Sequence, residues 1–101
     1  MLKIIIRKRA LQRISSIADW YQLTMGEHAA ANFVAGTYCT IRVLALNPSI
    51  GRVENRLSSA NKRYFSFWAH PQYRIVYRYN SRSIYIVAIY CNIMQDGGLY
   101  K

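Results

Sequence analysis

Apolar positions along this chain follow two rhythms, and the change from one to the other divides it. Residues 3–7 are rich in Ile, consistent with a short strand. Arg7-Lys8-Arg9 then forms a basic corner. From Ala10 to Leu23 the apolar positions are Leu11, Ile14, Ile17, Ala18 and Tyr21, the stripe of an amphipathic helix. No capping residue precedes it, so its start is poorly marked. Thr24-Met25-Gly26 is a break, with Gly26 suited to a helix C-cap or to entry into the next helix. A second helix is expected over about Glu27–Leu46, with Ala30, Phe33, Val34, Thr37, Ile41 and Leu44 on its inner face. Glu27 in its first turn complements the helix dipole. Gly36 is a weak helix former, which suggests close approach of the other arm of the hairpin. So short a break predicts an antiparallel pair of helices.

Asn47-Pro48-Ser49-Ile50-Gly51 stops the second helix, and residues 52–61 read as an irregular polar loop. Beyond it the rhythm shortens. Lys62 to Trp68 reads as a strand and Ala69-His70-Pro71-Gln72 as a turn. Tyr73 to Tyr79 alternates, with Tyr73, Ile75, Tyr77 and Tyr79 on one face and Arg74, Val76 and Arg78 on the other. Asn80-Ser81 is a hairpin signal. Ser83 to Cys91 is rich in Ile, Val and Tyr, as a central strand covered on both faces would be. The expected fold is α+β in the order β-α-α-β-β-β, a two-helix antiparallel hairpin packed on a mainly antiparallel twisted sheet. Phe33, Ile41, Leu44, Ile14, Ile75, Tyr77, Ile86 and Ala88 are the expected core. Residues 1–95 form one domain and 96–101, after Asp96-Gly97-Gly98, a loose tail.

Charge changes the picture more than composition does. The chain has 101 residues, enough for one modest core, and a hydrophobic fraction of 52% argues against disorder. Fourteen Lys and Arg face four Asp and Glu, a formal net charge of +10. Such an excess favours a polyanionic or acidic partner, and nucleic acid, the ribosome and an acidic protein all satisfy it. Cys39 and Cys91 lack metal or redox spacing and are expected as buried free thiols in a reducing compartment. His70 and His28 have no second His, Cys or carboxylate at ligand spacing, so no metal and no cofactor is expected. The apolar run at the start is too short for a signal peptide, and no run reaches the roughly 20 apolar residues of a bilayer span. A cytoplasmic protein without a membrane partner is therefore expected.

Several segments resemble one known family. Ile14, Ile17, Ala18 and Tyr21, followed by Gly26-Glu27, Ala29-Ala30 and Phe33, resemble the helical hairpin of ParE-like toxins. Leu44, Asn47-Pro48 and Gly51-Arg52 are similar to their helix-to-sheet connection. Tyr73-Arg74-Ile75-Val76-Tyr77-Arg78 and Ile84-Tyr85-Ile86-Val87-Ala88-Ile89 resemble the paired strands of the whole RelE/ParE superfamily. The resemblance covers residues 3–92. It implies the growth-arresting toxin of a type II toxin–antitoxin module, of a kind associated with plasmid stabilisation. It implies a cognate acidic antitoxin as partner, and contact with operator DNA only through the antitoxin complex. The target is DNA gyrase if the chain is ParE-like, or the ribosome with its mRNA if it is a RelE-like endonuclease. A non-toxic basic nucleic-acid-binding module, or a degraded toxin, is the remaining reading.

The resemblance also assigns residues. Arg74 matches an arginine that contacts the scissile phosphate in RelE-type enzymes. If the chain is a nuclease, Arg74, His70 and Lys62 are the candidate catalytic groups, since an imidazole can serve as acid or base near neutral pH. Two lysines expected on the preceding strand are matched here by Phe65 and Phe67, and Cys91-Asn92-Ile93-Met94-Gln95-Asp96 supplies no cation. These departures favour a binding poison, for which Arg74, Arg78, Lys62 and Arg63 are the candidate target- or antitoxin-binding residues.

Overall fold

The computed structural model describes residues 1–54, 62–70 and 73–91, without the side chain of His70. Strand β1 (Lys3–Ile6) leads into helices α1 (Lys8–Met25) and α2 (Glu27–Leu46). A 3-10 turn (Pro48–Ile50) precedes β2 (Arg52–Val53), β3 (Phe65–His70), β4 (Tyr73–Tyr79) and β5 (Ser83–Cys91). The expected α+β order is present, and the sheet has five strands in the order β1-β5-β4-β3-β2. Only β1 runs parallel to its neighbour, β5; the other pairs are antiparallel.

The helices form as the stripes require. Gly26 joins them at φ 96 and ψ 170, a region open almost only to glycine. Arg7 precedes α1 without a side-chain cap, consistent with the weak start signal. Ala10, Ile14 and Ile17 of α1 meet Phe33, Ile41, Leu44 and Ala45 of α2 over Tyr73, Ile75 and Tyr77 of β4 and Ile84, Ile86, Ile89 and Cys91 of β5. By length and composition α2 could cross a membrane. One third of that stretch is buried, and Ala30, Phe33, Thr37, Ile41, Leu44 and Ala45 form its core side. The buried Thr37 hydroxyl donates to the Phe33 carbonyl at 2.8 Å, so burial leaves no unmet donor.

Seven expectations need correction. Leu11 is exposed, and Ala10 fills the core position in its place. Ala88 is outside the core because the β4–β5 register shifts between Val76 and Tyr77: Val76 faces Ala88, but Tyr77 faces Ile86. Val87 is the extra residue, so the buried series runs Ile84, Ile86, Ile89, Cys91 and strict alternation fails. Residues 52–53 form an edge strand against β3, not part of a loop. Gly36 faces the Tyr73 hydroxyl of the sheet, where an added Cβ would sit at 3.8 Å, so the other helix does not explain it. Cys39 is exposed, whereas Cys91 is buried. In the β4–β5 turn the Asn80 side chain accepts from the Arg82 and Ser83 amides at 2.8 Å each, so Ser81 and Arg82 are its central residues. The strand over Lys62–Trp68 begins at Phe65 and extends to His70, which removes Ala69 and His70 from the expected turn. Pro71, Gln72, residues 55–61, the stretch from Asn92 to Asp96 and the tail 96–101 lie outside the described residues.

Candidate functional site

The helices cover one face of the sheet, and the candidate residues are on the other. Alternation along β4 directs Ile75 and Tyr77 to the core and Arg74 and Arg78 away from it. Those two arginines lie about 13 Å apart along the strand, from its rise per residue, and each anchors a separate cluster.

At one end, the Arg74 guanidinium donates to Glu54 Oε2 at 3.0 Å. The pair is mostly shielded, with Arg74 30% and Glu54 15% exposed. Trp68 of β3, directly opposite Arg74 in the register, and Tyr90 of β5 flank it, their ring centroids 5.8 Å and 5.1 Å from the guanidinium carbon. The backbone of His70 pairs with Tyr73 at this end, after an irregularity between Trp68 and His70.

At the other end, Arg78 stacks over Tyr85 at 4.5 Å. Arg7, at the turn from β1 into α1, lies over the same ring at 5.3 Å. Lys62 and Arg63, both exposed, share a cleft of about 460 Å³ with Phe65, Arg78, Tyr79 and Asn80. A second open cleft, of about 490 Å³, is lined by Arg9 and Arg13 of α1 with Tyr64 and Val87 to Tyr90.

The structure therefore gathers Lys62, Arg63 and Arg78 and separates them from Arg74. Lys62 precedes the Phe65 end of β3, while Arg74 and His70 stand at the opposite end, so Arg74, His70 and Lys62 do not form one constellation among the described atoms. Phe65 and Phe67 pack against the core, Phe65 stacked on Tyr77 at 5.7 Å and tilted against Tyr79 at 5.2 Å. They could not present cations beside Arg74 whatever their identity. On the Arg74 side β3 carries Ser66 and Trp68, and neither is charged. Sequence reasoning missed Glu54, Arg7 and Tyr85. Glu54 lies 20 residues from its partner, and only β2 pairing with β3 brings it there. Among the described residues no group of His, Cys, Asp and Glu could hold a metal ion.

The connection into the sheet is locked by Tyr77. Its hydroxyl donates to the Pro48 carbonyl at 2.7 Å and accepts from the Gly51 amide at 3.0 Å. Burial pushes this phenol up to about 12. Gly51 is required by close approach, since a Cβ there would overlap the Tyr77 hydroxyl oxygen. The Asn-Pro-x-x-Gly connection is thus written in the sequence for contact with a tyrosine 26 residues away.

A helical hairpin packed on one face of a mainly antiparallel sheet is the α+β architecture that the resemblance implied. A chain in the structure of the "Chromosomal ParDE TA system from P. aeruginosa" superposes with a TM-score of 0.68 at 19% identity, covering 90% of this chain and 96% of that one. "The structure of YoeB dimer from Staphylococcus aureus" gives a TM-score of 0.57 at 19% identity, over 89% of this chain and 93% of that one. At such identity these likenesses establish the fold alone. No curated protein matches the sequence significantly. Residues 4–92 match the family described as ParE toxin of type II toxin-antitoxin system, parDE. The chain belongs to that family.

Proposed function

We propose that this toxin acts by binding DNA gyrase and arresting it on DNA, without cleaving mRNA, and that a cognate acidic antitoxin neutralises it in the cytoplasm. The observation that carries the reading is the 3.0 Å pair between Arg74 and Glu54. Cleavage of a phosphodiester needs positive charge aimed at the developing pentavalent phosphate. Glu54 compensates the charge of Arg74 and adds a carboxylate where a phosphate would have to approach. Each lost charge-assisted contact withdraws roughly 1.5–3 kcal/mol from such a transition state. Trp68 and Tyr90 around the pair suit a rigid contact surface for a protein. The ParDE system similar in fold supports an antitoxin as partner, and the net charge of +10 supports an acidic one.

The test takes two readings from one induced culture: gyrase-linked chromosomal breaks, and 5′-end mapping of mRNA on translating ribosomes. Breaks without new mRNA ends are the expected result. Codon-position-specific cuts that vanish in Arg74→Ala, with intact chromosomes, would overturn the reading and make His70 and Lys62 the next residues to replace.

A further inference from the structure

The cations at the Arg78 end form a band that crosses the sheet. Lys62 and Arg63 stand at β3, Arg78 on β4, and Arg7 and Arg9 at the junction of β1 with α1. Arg7 and Arg78 converge on Tyr85 of β5, which joins the two sides. From β3 to β1 the band spans three inter-strand spacings, about 14 Å. Among the described carboxylates only Glu54 comes near it. Glu54 borders it, its amide bonded to the Tyr64 carbonyl in the row that also carries Arg78, but its carboxylate is engaged by Arg74 at 3.0 Å. Asp19 lies about 15 Å along α1 from Arg9, and Glu27 begins α2 at the tip of the helical hairpin.

The geometry points to a binding surface for the phosphate backbone of duplex DNA, centred on Arg7, Tyr85 and Arg78. It rests on the gyrase reading for its setting, because gyrase is engaged with duplex whenever it is poisoned. Toxin held to both protein and DNA gains the advantage of two linked contacts. Duplex fits better than single strands. Sequence-tolerant binding of single strands depends on bare aromatic platforms on which bases stack. Here Tyr85 already carries two guanidiniums, and Trp68 and Tyr90 share a third. What the band offers is positive charge fixed in place by the sheet. Its width is comparable with the roughly 12 Å major groove that separates two backbones.

The experiment measures binding of the purified full chain to a labelled random-sequence duplex by fluorescence anisotropy, over a range of salt concentrations. Each phosphate contact contributes about 0.9 to the slope of log affinity against log salt. Arg7→Gln and Arg78→Gln should each flatten that slope by about 0.9, and Arg7→Lys and Arg78→Lys should restore it. Arg42→Gln, the same charge change on exposed α2, should leave the slope unchanged. Circular dichroism melts confirm that each variant is folded, and the Lys variants separate charge from packing. Equal flattening by Arg42→Gln would reduce the effect to net charge and overturn the inference. So would tighter binding to single-stranded RNA of equal phosphate number. Unchanged DNA slopes with weakened antitoxin binding would make the band the antitoxin's seat and overturn it too. A chain that shows the slope losses but leaves gyrase alone refutes the gyrase reading and keeps the DNA surface; the reverse outcome refutes only the surface.

Discussion

Tyr77 shows how one atom can tie a helix end to a sheet. Its hydroxyl serves the Pro48 carbonyl and the Gly51 amide together, and the absence of a side chain at Gly51 makes room for it. Tyr77→Phe should cost about 1–3 kcal/mol, because it strands two polar groups in a partly buried site. Gly51→Ala should cost about 1–3 kcal/mol through overpacking. The two should not add: with the hydroxyl gone, the closest of the clashes at Gly51 goes with it, so Tyr77→Phe should cost less in the Gly51→Ala background than alone. Chemical denaturation of the four proteins gives the coupling directly. The same phenol sets a pH dependence. Its folded value of about 12 exceeds the ordinary 10.0, so its contribution is complete below pH 10 and fades as pH rises through about 12. Stability measured across that alkaline window should fall less steeply in Tyr77→Phe.

Among the elements, the helices were legible because their stripes repeat over several turns and because Gly26 and Pro48 punctuate them. Core residues Ile14, Phe33, Ile41 and Leu44 followed from spacing alone. Ile41→Ala should therefore cost roughly 2–5 kcal/mol, and a melt showing a loss below 1 kcal/mol would contradict its place at 1% exposure. Strand β5 was legible as a strand but not in its second half. A period of two carries the eye from Ile86 to Ala88, and the bulge at Val87 has no glycine or other local signal to mark it. Ile89→Ser should consequently destabilise by about 2–4 kcal/mol, while Ala88→Ser stays within about 0.5 kcal/mol. Equal costs would show that alternation continues unbroken. β2 was missed because two residues, Arg52 and Val53, carry no period at all; only pairing with β3 defines them. The candidate site was half legible for the same reason. Alternation put Arg74 and Arg78 on the open face, but the partner of Arg74 and the second cation on Tyr85 arrive from other elements through tertiary pairing.

For the whole molecule, the dominant physical fact is the imbalance of charge. A net charge of +10 on 101 residues repels copies of the chain and attracts anything acidic from beyond contact range. For capture by the acidic antitoxin proposed above, its consequence is kinetic. Long-range attraction accelerates encounter and is screened as the Debye length shrinks, from about 30 Å at 0.01 M salt to about 10 Å at 0.1 M. Charge pairs buried in a complex are screened much less than the approach. The association rate should thus fall by about ten- to a hundredfold between 0.01 M and 0.5 M salt, while dissociation changes by less than about threefold. Charge-neutralising variants should reproduce the fall without added salt: Arg42→Gln with Arg82→Gln should slow association and leave dissociation nearly unchanged, since both side chains are exposed and lie outside the candidate binding residues. Stopped-flow mixing followed by displacement separates the two rates. Salt that acted chiefly on dissociation would mean that the complex is held by solvent-accessible ion pairs, and that net charge does not steer the encounter.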